Sequence, residues 1–359
     1  MRVLIRADGD SAMGTGHVMR MLALAQWLAQ DGGDGGAGTQ VIFASVRLSP
    51  QLETRLRAQG IPVERAELTE GSTEDSAWTR GLIAAHGCDW LVCDGYHFAD
   101  AFQTAIHQAG IRQLVIDDYG HCQQQIAELV VNQNASASEA FYPRRAGHTE
   151  LLLGTQYVLL RREFVAAAPA ARTVSQRADR ILVTLGGADP ANTTASIAAS
   201  LRAIPDPALR VSVVIGPSNP RAEELRRQLR DDQRFELIVG AENMAALMAA
   251  TDLAIAGAGT TTWELAYMGV PTLLVVLADN QEALAAAMDE AGACVNLGWH
   301  HALREATTTA IVQALRIDAA RRRQLGAVGH AKVDGQGGRR ILEAMRRRLA
   351  SPAARGERP

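Results

Sequence analysis

A chain of 359 residues is long enough for two domains that each have a hydrophobic core. Apolar residues make up 47% and charged residues 21%, as in ordinary globular proteins, and a formal charge of −3 lacks the basic excess of nucleic-acid-binding proteins. No apolar run approaches the length of a membrane span, no signal peptide precedes the first strand, and the four cysteines form no C-x-x-C pair. These features predict a soluble cytoplasmic protein that binds neither nucleic acid nor membrane.

The first half of the chain alternates short apolar runs with helical patterns. Strands are predicted at residues 2–6, 40–45, 90–93, 113–116, 129–131 and 151–153. Helices are predicted from residue 16 and at residues 49–59, 72–86 and 99–109. Short links between strands and helices are typical of a parallel sheet with helices on both faces.

An alanine- and proline-rich stretch without periodicity, residues 166–176, is interpreted as a linker after a first domain of residues 1–165. A second alternating series predicts strands at residues 180–185, 211–215, 235–239, 253–256 and 272–276. We assign residues 177–350 to a second domain and residues 351–359 to a flexible tail. The chain is thus predicted to be an α/β protein with two doubly wound, parallel-sheet (Rossmann-like) domains facing across a cleft.

The first glycine turn is Gly14-Thr15-Gly16-His17, between the first strand and the first helix. Glycines let the backbone approach a ligand closely, and a helix start offers free N–H groups. A third glycine is missing, because Met19 stands in its place, so a dinucleotide fingerprint is not indicated. His17 would point into the crevice, although a histidine at a helix start is more often solvated or capping.

In the second domain the stretch Gly257-Ala258-Gly259-Thr260 directly follows an apolar strand. Two glycines and small hydroxyl residues at a helix start suit a diphosphate, and no lysine follows in Walker order. Glu264, one turn further on, could accept hydrogen bonds from ribose hydroxyls or act as a favourable first-turn charge. The earlier loop Gly186-Gly187-Ala188-Asp189 would open at the same sheet edge, with Asp189 or Asn192 capping the next helix.

Two further segments are predicted beside these loops. Asn243 and Met244 open a helix against which a nucleotide base could lie. Asn280 and Gln281 follow the last apolar strand and could present amide groups to a ligand, although capping competes as a role for Asn280.

Taken together, these motifs resemble the nucleotide-sugar hydrolases of the pseudaminic acid pathway, which share the two-domain GT-B fold with MurG-like glycosyltransferases. The resemblance covers nearly the whole chain to about residue 340. It also rests on the segments Arg6-Ala7-Asp8, Asp94-Gly95-Tyr96, Leu152-Leu153-Gly154 and residues 157–164.

The resemblance implies hydrolysis of a UDP-sugar at the anomeric carbon with inversion, without metal or cofactor. His17 would be the catalytic base, with Tyr96 near it and Asn280 holding the sugar. Substrate would also meet Gly14, Gly16, Arg20, Gly187, Asp189 and Gln281. UDP would meet Asn243, Met244, Gly257, Ala258, Gly259, Thr260 and Glu264. We expect a monomer or weak dimer whose partner is the small-molecule substrate.

Three functions remain open from the sequence. The first is the hydrolase, and the second is a GT-B glycosyltransferase that passes the sugar to an acceptor. The third is a non-catalytic nucleotide-sugar binding protein in polysaccharide assembly. The chain departs from the family around Tyr96, where His97 follows and competes for the role given to His17.

Overall fold

The computed structural model describes residues 1–10, 13–30, 38–167, 172–187, 189–217 and 219–350. It contains two separate parallel sheets. The first is built from β1 Arg2–Ala7, β2 Gln40–Ser45, β3 Val63–Arg65, β4 Trp90–Asp94, β5 Gln113–Ile116, β6 Leu129–Asn132 and β7 Glu150–Leu153. The second is built from β8 Arg180–Thr184, β9 Arg210–Ile215, β10 Phe235–Val239, β11 Leu253–Gly257, β12 Thr272–Val276 and β13 Val295–Trp299.

Helices connect most successive strands, as the alternation of the sequence predicts, but no α-helix is described between β5 and β6 or between β6 and β7. Up to the start of the second sheet they are α1 Gly16–Ala29, α2 Pro50–Ala58, α3 Thr73–His86, α4 Asp100–Gln108 and α5 Arg162–Ala167. Those that follow are α6 Thr193–Arg202, α7 Ala222–Leu229, α8 Met244–Ala249, α9 Thr261–Tyr267, α10 Glu282–Glu290, α11 Glu305–Ile317, α12 Ala319–Lys332 and α13 Gly337–Ala350. Within the described residues no helix is both long and apolar enough to cross a bilayer.

The strand order of each sheet reverses at one point. In the first sheet the order is β3-β2-β1-β4-β5-β6-β7, so the reversal lies between β1 and β4. In the second the order is β10-β9-β8-β11-β12-β13, and the reversal lies between β8 and β11. Ligands of open α/β sheets bind at the carboxyl ends of the strands beside such a reversal. Both sheets are therefore doubly wound, as predicted, and each has one edge suited to a ligand.

The division of the chain into units differs from the predicted domains at its end. The first unit holds residues 1–9, 17–161 and 335 onward, and the second holds residues 10–16 and 162–334. The last helix, α13, therefore belongs to the first unit, whereas the sequence assigned it to the second domain. Its Ile341 and Met345 are fully buried in the same core as Val3 and Ile5 of β1.

Glycine at the start of α13 allows this packing. A Cβ atom on Gly338 would lie 2.3 Å from the ring of Trp27 in α1, far inside contact distance. The apolar face of α13 is visible in the sequence, but which sheet it covers is decided by this close fit. The middle of the predicted linker, residues 168–171, and the whole predicted tail, residues 351–359, lie outside the described residues.

Candidate functional site

His17 lies in the first turn of α1 and contacts the last residue of β4. Its Nδ1 atom is 2.7 Å from Oδ1 of Asp94, whose side chain is fully buried. An ionised carboxylate can only accept hydrogen bonds, so Nδ1 of His17 carries the proton and donates it. In the neutral imidazole Nε2 is therefore the nitrogen with the lone pair, which can accept a proton from a bound molecule.

The buried guanidinium of Arg20, one helical turn further along α1, holds the Asp94 carboxylate in place. Nε of Arg20 donates to Oδ2 of Asp94 at 2.8 Å, and Nη2 donates to Oδ1 at 2.7 Å. The same guanidinium donates to Asp118, which follows β5, at 2.9 Å from Nη1 and 3.2 Å from Nη2. One planar fork thus binds two carboxylates, a geometry that the single ammonium of lysine does not offer.

Tyr96 joins this cluster from the loop after β4. Its hydroxyl donates to Oδ2 of Asp118 at 2.7 Å. Its ring lies nearly perpendicular to that of His17, with the two ring centroids 5.3 Å apart. Three predicted residues, His17, Arg20 and Tyr96, are therefore brought together through two carboxylates.

The charges of this cluster keep Asp94 ionised. Burial by itself raises the pKa of the Asp94 carboxyl, but the charges and hydrogen bonds of Arg20 and His17 outweigh it and hold this pKa well below its usual range. Burial lowers the pKa of Arg20, whereas Asp118 and Asp94 raise it well above its usual value. An ionised Asp94 stabilises the positive charge that His17 gains when it accepts a proton.

A second histidine, His121, packs beside Tyr96, with the ring centroids 5.7 Å apart. Its side chain is 4% exposed, and its Nδ1 lies 3.2 Å from Oδ1 of Asp117. The same carboxylate oxygen accepts the backbone N–H groups of residues 118–120. Burial lowers the pKa of His121, but hydrogen bonding to Asp117 and Cys122 and the charge of Asp117 raise it to about 10.

We expect His121 to remain an imidazolium through the neutral range. Its pKa is higher in the folded chain than in the unfolded one, so the Asp117–His121 pair contributes its full stability below about pH 6.5. That contribution is lost as the pH rises from there towards about 10. Thermal unfolding of the wild type and of His121→Gln should show a gap in Tm that shrinks across this interval. A carbon-13 NMR titration of His121 with its midpoint near the lower end would contradict the assignment.

His97, the alternative to His17, belongs to a different network. Its Nε2 lies 2.9 Å from Oδ2 of Asp8, whose Oδ1 accepts hydrogen bonds from one hydroxyl and two backbone N–H groups. Burial raises the pKa of Asp8, but a hydrogen bond from His97 and the charge of Arg6 hold it well below its usual range. A Cβ atom on Gly95 would lie 2.6 Å from Cε1 of His97, so the ring fits only against glycine. These contacts hold His97 in a network with Asp8, apart from the pair formed by His17 and Asp94.

The glycine turn before α1 is present as predicted. Gly14 has a φ of 90°, and its N–H donates to the carbonyl of Asp10 at 2.9 Å. Gly16 is the first residue of α1. Residues 11 and 12 of this turn lie outside the described residues. The predicted ligand contacts of both glycines stay predictions.

The predicted diphosphate loop lies at the reversal point of the second sheet. Gly257 ends β11, and α9 begins at Thr261. The N–H of Ala258 donates to the carbonyl of Val275 in β12 at 3.0 Å, which anchors the loop to the neighbouring strand. Glu264 stands in the first turn of α9, as expected. The loop has the predicted strand-turn-helix context, and UDP binding by its residues 257–260 stays a prediction.

The other glycine loop of this sheet joins β8 to α6. The two carboxylate oxygens of Asp189 accept the N–H groups of Thr193 and Thr194, each at 2.8 Å. The capping role considered for Asp189 is therefore confirmed, and this side chain is 5% exposed. Gly187 precedes it in the loop, while Ala188 lies outside the described residues. Substrate binding by Gly187 and Asp189 stays a prediction.

The remaining predicted residues of the second unit lie at helix starts that follow two other strands, β10 and β12. Asn243 caps α8 through its side-chain oxygen, and Met244 is 9% exposed. Gln281 lies beside Gly259, since a Cβ atom there would be 3.8 Å from its Nε2. Asn280 is exposed in the short 3₁₀ helix Asp279–Gln281. The nucleotide and sugar contacts expected of these side chains stay predictions.

Three residues around His17 and Tyr96 were not assigned as site residues from the sequence: Asp94, Asp118 and His121. Asp94 ends one strand and Asp118 follows the next, so both could be located at the carboxyl edge of the sheet. A carboxylate after a strand is common, however, and which side chain it meets depends on strand register. The sequence therefore indicated where these two carboxylates lie, but not which side chains they contact.

The fold defines the class of protein. Residues 180–332 match the family model of the glycosyltransferase family 28 C-terminal domain. The crystal structure of Acinetobacter baumannii MurG is similar to this chain with a TM-score of 0.65 and 16% identity, covering 96% of this chain and 99% of that one. Together with the two parallel sheets, this likeness shows that the chain has the predicted GT-B fold.

The chain is also similar in sequence to curated proteins, two of which are named for nucleotide-sugar or polysaccharide chemistry. The chain is 26% identical over 291 residues to the UDP-2,4-diacetamido-2,4,6-trideoxy-β-L-altropyranose hydrolase of Campylobacter jejuni, covering 79% of this chain and 95% of that protein. It is 29% identical over 192 residues to the spore coat polysaccharide biosynthesis protein SpsG of Bacillus subtilis, covering 53% of this chain. The chain spans little more than half the length of SpsG and of another curated relative. The resemblance predicted from the motifs is confirmed.

Proposed function

We propose that this chain hydrolyses a UDP-sugar with His17 as the base. The observation that carries the proposal is the hydrogen bond of 2.7 Å between Nδ1 of His17 and Asp94, which in the neutral imidazole leaves the lone pair on Nε2. The similarity to the Campylobacter hydrolase supports both the reaction and the substrate class. Histidine is the residue that most often serves as a general base in enzymes.

In the proposed reaction, Nε2 of His17 accepts a proton from water while the water oxygen attacks the anomeric carbon. The bond between that carbon and the diphosphate oxygen breaks with its electron pair, so UDP leaves and the new hydroxyl has the inverted configuration. The start of α9, directly after the Gly257–Thr260 loop, is proposed to stabilise the charge that develops on the diphosphate, and Glu264 to bind the ribose hydroxyls. Arg20, which already holds two carboxylates, positions Asp94.

Sugar contacts complete the proposal. Tyr96 is proposed to lie against the sugar beside His17, because its ring packs on the imidazole. Asn280 and Gln281 are proposed to hold the sugar through their amide groups. The proposed substrate is the diacetamido sugar named for the Campylobacter relative, in the pseudaminic acid pathway.

A glycosyltransferase is the second candidate, because residues 180–332 match a glycosyltransferase domain model. It would use the same UDP-sugar but pass the sugar to an acceptor hydroxyl in place of water. The third candidate, a binding protein in polysaccharide assembly, takes its support from the similarity to SpsG. Both differ from the hydrolase in one measurable respect, which is the fate of the sugar in the absence of an acceptor.

Proton NMR and mass spectrometry of UDP-2,4-diacetamido-2,4,6-trideoxy-β-L-altropyranose incubated with the protein, EDTA and oxygen-18 water test the proposal. The expected result is release of UDP and of free sugar, with the label in the sugar hydroxyl and none in UDP. His17→Ala should bind UDP and lose turnover, whereas the control His86→Ala should match the wild type. Turnover that appears only with an added acceptor would establish the transferase, and binding without turnover would leave the binding protein.

A further inference from the structure

Two histidines and a glutamate, His107, Glu128 and His148, converge at the edge of the first sheet opposite to His17. Each of the three offers one ligand atom, and these atoms lie within 4.8 Å of one another. His107 is in the last turn of α4, Glu128 immediately precedes β6, and His148 shortly precedes β7. The three segments therefore meet at the amino ends of the strands, away from the carboxyl ends that hold the His17 cluster.

The side chains of His148 and Glu128 are each oriented by a hydrogen bond to the backbone. Nε2 of His148 lies 2.9 Å from the carbonyl oxygen of Ile126, so it carries the proton and leaves Nδ1 with a lone pair. One oxygen of Glu128 accepts the backbone N–H of Gln113 at 2.6 Å. Metal-binding histidines and carboxylates in proteins characteristically have such outer partners, which fix the tautomer and the orientation of the ligand.

The backbone around the cluster is also fixed. Residues 126–128 run beside residues 148–150, where the Thr149 hydroxyl donates to the carbonyl of Ala127 at 2.8 Å and the N–H of Glu150 donates to that of Glu128 at 3.0 Å. The rings of His107 and His148 are stacked within 5° of parallel, with their centroids 5.5 Å apart. The two rings must turn out of this stacked arrangement to direct their lone pairs at one ion, while the backbone that carries them stays in place.

We propose that His107, Glu128 and His148 form a site for a divalent transition-metal ion of the zinc type, which clips the end of α4 to the starts of β6 and β7. Two imidazoles and one carboxylate are ligands that Zn²⁺, Co²⁺, Ni²⁺ and Cu²⁺ accept, whereas Mg²⁺ and Ca²⁺ prefer oxygen ligands alone. Water completes the coordination, because two of the three residues are exposed. The ion joins segments that are far apart in sequence, so its binding stabilises the folded first unit.

Isothermal titration calorimetry of metal-stripped protein with ZnCl₂, together with thermal unfolding, tests the site. The wild type should bind one Zn²⁺ and show a rise in Tm with Zn²⁺ concentration, and MgCl₂ should have neither effect. His107→Ala, His148→Ala and Glu128→Gln should each weaken Zn²⁺ binding by at least the ~10–100-fold expected on loss of an outer-shell partner. Co²⁺ should give ligand-field absorption in the wild type that disappears in the three variants.

His86→Ala is the matched control, because His86 also ends a helix beside a glutamate, Glu64, at 3.4 Å but has no second histidine in that cluster. It should bind Zn²⁺ like the wild type. Circular dichroism without metal should give all variants the same Tm, which separates a lost ligand from a lost fold. Absence of Zn²⁺ binding, binding unchanged in the three variants, binding abolished only by His17→Ala, or an equal response to Mg²⁺ would each overturn the proposal.

Discussion

Asp94→Asn should lower the proposed hydrolysis of a UDP-sugar by about 10⁴-fold, the scale expected when a base histidine loses its correct tautomer. Arg20 donates to both oxygens of Asp94, and His17 donates to one of them. If the asparagine NH₂ group faces His17, the imidazole must place its proton on Nε2 and can no longer act as a base. If the NH₂ group faces Nε of Arg20, two hydrogen-bond donors oppose each other, and the paired hydrogen bonds between Arg20 and residue 94 are lost. Neither orientation reproduces the wild-type geometry.

Asp118→Asn is the matched control for this prediction. Asp118 is bound by the same guanidinium and by the Tyr96 hydroxyl, but no hydrogen bond joins it to His17 among the described contacts. It should lose at least tenfold less turnover than Asp94→Asn. Nitrogen-15 NMR of His17 gives a second measurement that does not depend on the reaction: the wild type should carry its proton on Nδ1. Full turnover in Asp94→Asn, or a proton on Nε2 in the wild type, would contradict the role of Asp94.

Arg20→Leu should destabilise the fold by about 3–5 kcal/mol at neutral pH, because it leaves the buried Asp94 carboxylate without its cation. In the wild type the pKa of Asp94 is lowered, so the pair contributes its stability above the usual value of 3.8 and loses it as the pH falls below. In the variant, burial acts without the opposing charge of Arg20 and favours the neutral carboxyl. The deficit in the free energy of unfolding should therefore be largest near neutrality and shrink on acidification.

Urea unfolding of the wild type and Arg20→Leu at about pH 7 and about pH 5 measures this dependence. Arg57→Leu is the control, since Arg57 is largely exposed and pairs with Glu53 at 2.8 Å along the surface of α2. Its cost should stay below about 1 kcal/mol. A similar loss of unfolding free energy in both variants, or a deficit in Arg20→Leu that does not change with pH, would show that Arg20 and Asp94 do not act as a buried charge pair.

The fold was largely predictable because its signals are local. Apolar runs of four to six residues become strands, and periodic segments such as Gly16–Ala29 become helices. Glycine and hydroxyl residues after β11 form the loop expected there. Strand β13 was not predicted, and near β3 the sequence indicated only a short extended segment at residues 61–63, slightly before the observed strand. Strand β13 is only half-buried, and its sequence lacks a continuous apolar run.

The attachment of α13 shows where local signals end. Its buried face is evident from Ile341, Leu342 and Met345, but any sheet with an uncovered side would satisfy that pattern. The choice of the first sheet depends on the fit between Gly338 and Trp27, which lie more than 300 positions apart in the chain. The structure accordingly groups residues from 335 onward with the first unit, whereas the sequence assigned residues 177–350 to one domain.

The sequence by itself determined two parallel-sheet units, the place of His17 at a helix start, and the side of each sheet on which Asp94 and the Gly257–Thr260 loop lie. Only the tertiary structure decided that Asp94 meets His17 and Arg20, that His97 turns to Asp8 instead, and that His107 lies beside His148. Secondary structure and strand ends follow from the nearest neighbours along the chain. Contacts between distant side chains follow from strand order, register and packing, which depend on the whole core at once.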